Sequence, residues 1–194
     1  MPTAVALVDA FDANGVTHAV GIPDNHSAPV YDVLARRERP RLVRVTREGE
    51  AFAIAAGLWM GGRQPLVLIQ ATGLLESGDA LRGTLVRMRV PAVTLVTCRG
   101  YGLIRKRGVD PAAGQRGKVF TPGPARSAAL LDPGLDAVAL LAEPTVAAWG
   151  LPYRYLSAGD SAADLVGWAH REAAAREMPV VLLVTDVLGG GDAH

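Results

Sequence analysis

Two kinds of apolar segment alternate along the chain. Short, nearly continuous apolar runs, typical of buried strands, lie at 18–22, 42–45, 65–70, 91–97, 153–156 and 180–185. Segments with apolar residues at helical spacing fall between or beside them, at 5–11, 29–37, 48–60, 74–88, 135–149 and 162–177. Apolar strands separated by helices predict an α/β three-layer sandwich. We expect a mostly parallel, roughly six-stranded sheet with helices on both faces.

The alternation fails between residues 99 and 131. This stretch is rich in glycine, proline and basic residues, and it is too long for an ordinary connection between two elements. The sequence therefore predicts a single domain over residues 1–188 that contains a long irregular basic loop near 99–131. The glycine-rich end of the chain, 189–194, is expected to be a flexible tail.

Composition excludes several classes of function. The formal net charge is only +1, which argues against an overall nucleic-acid or membrane-binding surface. Cys98 is the only cysteine, so neither an intrachain disulfide nor a multi-cysteine metal site is possible. No stretch approaches the roughly 18–20 apolar residues of a membrane span, and the first residues do not resemble a signal peptide. We expect a cytoplasmic protein.

Unusual residues concentrate directly after the predicted strands. These segments are GIPDNHS (21–27), TREGE (46–50), QATGLL (70–75) and TCRGYG (97–102). In a parallel sheet, the carboxyl ends of the strands meet at one edge, and ligands bind there. Any functional site is therefore expected at this edge.

Glu48 lies where the second predicted strand runs straight into the third predicted helix. A carboxylate at a helix N-terminus is stabilised by the helix dipole and by free backbone N–H groups. By this argument alone, either Glu48 or Glu50 could simply cap the helix. The small residues that follow, including Gly57, would let the helix pack closely against the sheet or against another subunit.

The order of these segments, and REGEAFAIAAG in particular, resembles the pyrimidine-binding domain of thiamine-diphosphate enzymes. The chain most resembles the sulfopyruvate decarboxylase alpha subunit and the N-terminal half of phosphonopyruvate decarboxylase, well over residues 1–100 and more loosely beyond. The family glutamate stands nine positions before the glycine of Ala-Ala-Gly. Glu48 has this spacing to Gly57, and Glu50 does not.

The resemblance implies that Glu48 is the catalytic residue. The family glutamate hydrogen-bonds N1′ of the cofactor's aminopyrimidine ring and so activates thiamine diphosphate, which carries out the difficult chemistry. Thr72 and Gly73 correspond to the family's backbone platform near the pyrimidine ring, and Gln70, which resembles the glutamine of the family's Gln-Asn-Ser-Gly stretch, is also implied to bind the cofactor. The alternative for Thr72 and Gly73 is an ordinary tight turn into the next helix.

Three further residues are implied to contact substrate. Asn25 and His26 belong to the loop that lies beside the thiazolium ring in the family, although Pro-Asp-Asn is also ordinary turn chemistry. Arg99 follows the fourth strand, where a guanidinium could pair with a carboxylate, phosphonate or sulfonate. A solvated arginine is the alternative. Cys98 takes the place of a histidine or tryptophan in the relatives and is expected to be inert packing.

A complete enzyme of this class also needs a Gly-Asp-Gly motif with a downstream asparagine, which binds Mg²⁺ and the diphosphate. Neither Gly78-Asp79-Ala80 nor Gly159-Asp160-Ser161 fits this pattern. We therefore expect a separate beta subunit that carries this half, assembled with a homo-dimer core of this chain. The expected activity is decarboxylation of a short anionic 2-oxo acid. A thiamine-diphosphate carboligase subunit and a non-catalytic, partner-binding relative remain as alternatives.

Overall fold

A computed structural model describes residues 2–106, 124–136, 138–186 and 188–189 of the chain. Within these ranges, six strands form one sheet in the order β2-β1-β3-β4-β6-β5. Every neighbouring pair is parallel. The strands are β1 (His18–Gly21), β2 (Arg41–Arg44), β3 (Pro65–Gln70), β4 (Val93–Thr97), β5 (Tyr153–Leu156) and β6 (Val180–Val184). The predicted parallel α/β fold is confirmed.

Helices cover both faces of the sheet. The first face carries α1 (Ala4–Ala13), α2 (Ala28–Ala35) and α9 (Ala162–Arg176). The second carries α3 (Glu48–Met60), α4 (Ala71–Glu76), α5 (Gly78–Leu81), α6 (Tyr101–Lys106), α7 (Pro124–Leu131) and α8 (Val138–Ala148).

Alternation along the central strands divides the core between the two faces. In β3, Leu66 and Leu68 pack under α1, α2 and α9, whereas Val67 and Ile69 pack under the helices of the other face. Every residue of β4 and β6 is buried, as expected of strands covered on both sides. The continuous apolar runs of the central strands thus arise because helices cover these strands on both faces.

Polar side chains fix the beginnings of two long helices. Thr3 Oγ1 accepts a hydrogen bond from the backbone N–H of Ala6 at the start of α1, with a separation of 3.1 Å. Ser161 Oγ accepts one from Asp164 N–H at the start of α9, at 3.2 Å. Such N-caps contribute about 1 kcal/mol each, because they satisfy donors that the helix itself leaves free.

The segment 74–88 is helical over most of its length, as predicted, but it is not one continuous α-helix. This segment instead divides into α4, α5 and a π-helical turn at Arg82–Val86. At the break, the buried Ser77 hydroxyl donates to the carbonyl oxygen of Gly73. Gly78 lies so close to the Trp149 ring of α8 that a β-carbon there would be 2.6 Å from Trp149 Cζ2. Packing against a distant helix therefore sets the break.

The segment predicted as an irregular loop, 99–131, contains α6 and α7, and its residues 107–123 lie outside the described part. Near the end of the chain, Gly189 pairs with Thr3, and Leu188 N–H donates to His26 O at 3.4 Å. Residues 190–194 of the predicted tail also lie outside the described part. Within the described ranges, none of the helices has both the length and the apolar character needed to span a bilayer.

Candidate functional site

All six strands run in the same direction, so their carboxyl ends meet at one edge of the sheet. The segments that follow β1, β2, β3 and β4 therefore gather at this edge, as the sequence predicts. We call it the carboxyl edge. The candidate residues lie on these segments.

Glu48 is the first residue of α3, and its side chain is half-buried. It lies directly against Gly73 of α4. A β-carbon on residue 73 would overlap the Glu48 side chain at Cγ, Cδ and Oε1. The structure thus brings together two of the predicted cofactor-binding residues, from different loops of the carboxyl edge. Gly73 leaves the space that the carboxylate occupies.

Glu50, rather than Glu48, caps α3. Its Oε2 accepts hydrogen bonds from Thr46 N–H at 3.0 Å and from Arg47 N–H at 3.2 Å. Backbone donation from Thr46 is the largest cause of the lowered pKa of Glu50. Within the described part of the chain, the Glu48 carboxylate makes no hydrogen bond or ion pair. The capping role and the free carboxylate thus belong to different residues of the same helical turn.

Gln70 ends β3, and the chain turns there into α4. Thr72 is exposed, and its hydroxyl donates to Gln70 Oε1 at 3.1 Å. Gln70 is half-buried and Gly73 is buried. Residues 70–73 therefore form the tight turn into α4, and this turn also places Gly73 against Glu48. The two interpretations of Thr72 and Gly73 are thus compatible.

An aspartate that we did not assign to the site organises the loop after β1. Asp24 Oδ2 accepts from Thr97 Oγ1 of β4 at 2.8 Å and from Ser27 Oγ at 2.7 Å. Its Oδ1 accepts from His26 N–H at 2.7 Å. These bonds tie the loop to the end of β4, across the end of the intervening β3. In the sequence, this contact is indicated only by position: Asp24 follows β1, and Thr97 ends β4.

The tied loop presents the two predicted substrate residues differently. Asn25 is exposed, whereas His26 is half-buried. The His26 Nδ1 atom is buried and has no hydrogen-bond partner among the described residues. The Asn25 side chain is therefore accessible to a ligand, and His26 holds an unused polar atom.

Arg99 pairs with Asp136, which precedes α8. Arg99 Nε lies 2.5 Å from Asp136 Oδ2, and 52% of the arginine side chain remains exposed. The predicted basic site is therefore occupied by an internal acid, which sequence spacing could not reveal because 36 residues separate the two. The neighbouring Cys98 is buried, and burial raises its thiol pKa to about 12. At neutral pH this thiol stays protonated and unreactive.

A second carboxylate lies inside the core beneath α8. Glu143 is only 1% exposed, and it accepts a hydrogen bond from Tyr153 Oη at 2.7 Å. Burial, followed by Glu143, raises the pKa of Tyr155. Glu143 is the one acid in the otherwise apolar or small-residue sequence VALLAEPTVAA of α8. This isolation could have indicated a buried carboxylate, but we did not use it.

The outer face of α3 is apolar as well as its inner face. Ala53 and Gly57 are exposed, together with the larger Ile54 and Met60, which are 37% and 70% exposed. A helix that is apolar on all sides is normally buried on all sides. This outer face, which we call the α3 face, therefore has the character of a contact surface.

At the carboxyl edge, the Glu48 carboxylate lies beside a glycine that presents only backbone. Among the described residues, no group of three or more histidine, cysteine, aspartate or glutamate side chains could hold a metal ion.

Comparison with known proteins links the chain to one family of enzymes. Residues 1–115 match the family model described as thiamine pyrophosphate enzyme, N-terminal TPP binding domain. Phosphonopyruvate decarboxylase of Streptomyces viridochromogenes is 36% identical over 97 residues, which cover 50% of this chain and 24% of that enzyme. Sulfopyruvate decarboxylase subunit alpha of Methanococcus maripaludis is 29% identical over 101 residues, which cover 52% of this chain and 60% of the relative.

A solved structure supports the fold over the full length. The thiamine diphosphate-dependent 4-hydroxybenzoylformate decarboxylase of Rhodococcus jostii matches 99% of this chain with a TM-score of 0.58 and 15% sequence identity. The match covers 32% of that chain. The chain therefore spans about a quarter to a third of the single-chain decarboxylases and roughly three fifths of the alpha subunit.

Proposed function

This chain belongs to the thiamine pyrophosphate enzyme family, through its N-terminal TPP binding domain, and from this premise we propose that it is the pyrimidine-binding alpha subunit of a 2-oxo-acid decarboxylase. The observation that carries the proposal is the free Glu48 carboxylate lying against Gly73 at the carboxyl edge. Its relatives in sequence are decarboxylases by name, and the similar solved structure is named as thiamine diphosphate-dependent.

The Glu48 carboxyl group would share a proton with N1′ of the aminopyrimidine ring through a hydrogen bond, and Gln70, Thr72 and Gly73 would line the ring. When bound, thiamine diphosphate supplies a carbon nucleophile and accepts the electrons released as carbon dioxide leaves. Glu48 is suited to hold and exchange the proton at N1′, because within the described residues no hydrogen bond competes for its carboxylate. Glu50 satisfies the free backbone donors next to it and so leaves Glu48 available.

The proposed substrate is a short 2-oxo acid with a second anionic group, such as sulfopyruvate or phosphonopyruvate. Arg99 would bind that anion, and Asn25 and His26 would contact the substrate from the loop after β1. Asp136 holds the half-exposed guanidinium of Arg99 at the site edge. A dianionic substrate would compete with Asp136 for this guanidinium through bidentate pairing.

We further propose a beta subunit that supplies Mg²⁺ and the diphosphate-binding half of the site. Three sulfopyruvate decarboxylase relatives are themselves named alpha subunits. The exposed apolar α3 face, which begins one turn after Glu48, supports a subunit boundary beside the carboxylate. Two copies of this chain would form the core of the hetero-oligomer.

The test is co-expression with a candidate beta subunit, followed by measurement of aldehyde and carbon dioxide release with thiamine diphosphate and Mg²⁺. Glu48→Gln should lower kcat by about 10²–10⁴-fold while the circular-dichroism spectrum is unchanged. Glu50→Gln is the matched control, since it alters the other carboxylate of the same helical turn. It should retain kcat and lose only some stability.

Three outcomes would change the proposal. Full activity of Glu48→Gln would remove Glu48 from the mechanism. Consumption of the oxo acid into a longer product, without aldehyde release, would indicate a carboligase subunit. A stable complex with no turnover of any oxo acid would indicate a non-catalytic, partner-binding relative.

A further inference from the structure

A cleft of about 720 Å³ opens at the edge of the sheet opposite to the candidate site, where the strands begin. Its polar walls come from the start of β1, the α2–β2 loop, the start of β2 and the α3–β3 connection. The residues are Thr17, His18, Arg37, Arg39, Arg41 and Arg63. Nothing in the proposed decarboxylase mechanism uses this cleft.

The cleft carries a large excess of positive charge. Four arginines line it, and Glu38 is the one acid among its lining residues. Arg37 is neutralised by Asp9 of α1, at 2.6 Å. Arg39, Arg41 and Arg63 have no hydrogen bond or ion pair within the part of the chain that the structure describes.

His18 also lines this cleft. It lies at the start of β1, and its Nδ1 atom is 3.0 Å from Thr17 Oγ1. Its pKa is lowered first by burial and then by Arg41 and Arg63. The two guanidinium groups are therefore near enough to disfavour a further cation within the cleft, which is the condition under which an anion is attracted.

We propose that this cleft binds a small phosphate-type polyanion. Guanidinium groups pair bidentately with phosphate oxygens, and three unpaired arginines from three different chain segments converge on one concavity. The volume lies within the range of small-molecule sites. A nucleic acid would instead require a basic stripe over an extended surface, and the chain has a formal net charge of only +1.

Isothermal titration with inorganic pyrophosphate tests the proposal. The double variant Arg41→Gln/Arg63→Gln should weaken binding about tenfold or more, because two charge-assisted contacts are lost. Both side chains are exposed, so this variant is expected to fold. Arg171→Gln on α9 is the matched control, because α9 packs near the other end of the sheet, against α1 and β4–β6. It should bind pyrophosphate as the wild type does.

A second measurement identifies the site itself. Bound pyrophosphate should raise the pKa of His18, because its negative charge offsets the positive potential of Arg41 and Arg63. An NMR titration of His18 with and without pyrophosphate measures this change. Equal loss of affinity in the two variants, or an unchanged His18 titration, would overturn the proposal. Tighter binding of a glutamate-rich peptide than of pyrophosphate at the same arginines would also overturn it, in favour of an acidic protein segment.

Discussion

The side chain of Glu48 fills the space in which a β-carbon of residue 73 would have to lie. A glycine in a helix normally costs about 0.5–1 kcal/mol relative to alanine, so its presence in α4 requires a reason. The position of the Glu48 carboxylate is that reason. It also allows the two residues to be tested as a pair.

Gly73→Ala should displace the Glu48 side chain and lower decarboxylase activity in the reconstituted complex. The free energy of unfolding should fall or stay level, because the overlap offsets the helical gain. In a Glu48→Ala background the same change should raise stability by about 0.5–1 kcal/mol, since the obstruction is gone. Urea unfolding of the four proteins measures this double-mutant cycle. An equal effect of Gly73→Ala in both backgrounds would show that the two residues do not interact.

Thr97→Val should destabilise the fold by about 1–3 kcal/mol, because it removes the hydroxyl donor to the Asp24 carboxylate without changing shape. Thr94→Val, on the same buried strand, is the control. Thr94 Oγ1 is buried and has no hydrogen-bond partner among the described residues, so its removal should be neutral or stabilising. Chemical unfolding would contradict the proposed tie if both variants lost the same stability.

Asp136→Asn should leave the free energy of unfolding within about 1 kcal/mol of the wild type, because its ion pair with Arg99 is partly exposed. If Arg99 binds the substrate anion, the same change should lower KM, since the competing carboxylate is removed. Arg99→Ala should raise KM, by the equivalent of about 2–4 kcal/mol if the bound anion desolvates the guanidinium. Steady-state kinetics in the reconstituted complex measure both. An unchanged KM in Arg99→Ala would identify a solvated arginine.

His170 makes stability depend on pH. Burial lowers its folded-state pKa from 6.5 to about 4, and its Nε2 atom has no hydrogen-bond partner among the described residues. The unfolded chain therefore binds the proton more readily. Stability from this residue is complete above about pH 6.5 and is lost as pH falls towards 4. Between pH 7.5 and 5 the loss should be about 1–2 kcal/mol, and His170→Leu should remove it from the unfolding curve. A variant curve parallel to that of the wild type would exclude His170 as the cause.

The sequence was sufficient for the elements whose pattern reflects burial on both faces. The strands at 65–70 and 180–184 are fully or nearly fully buried, so their apolar runs identify them without further information. The helical character of 74–88 was predicted, but its division into shorter helices was not, because the break lies against Trp149, which directly follows α8. The apolar periodicity of a segment depends on its own residues and cannot predict a contact with a residue far away in the chain.

The same limit applies to the candidate site. Register with Gly57 distinguishes Glu48 from Glu50, and the structure gives the capping bonds to Glu50. The partners of Thr97 and Arg99 could not be predicted, because each is a single acid far away in the chain. Which segments gather at the carboxyl edge follows from strand direction. Which side chains meet there depends on three-dimensional packing.

The bridge between Thr3 and Gly189 has a practical consequence for anyone who handles this protein. Because Leu188 also bonds to the loop at His26, Thr3 and the segment 188–189 lie beside the loop that carries two of the candidate substrate residues. Residues added close to Thr3 or Gly189 would therefore start near that loop. Reconstitution and titration should therefore use tag-free protein, and a reporter belongs on the exposed surface of α9 instead.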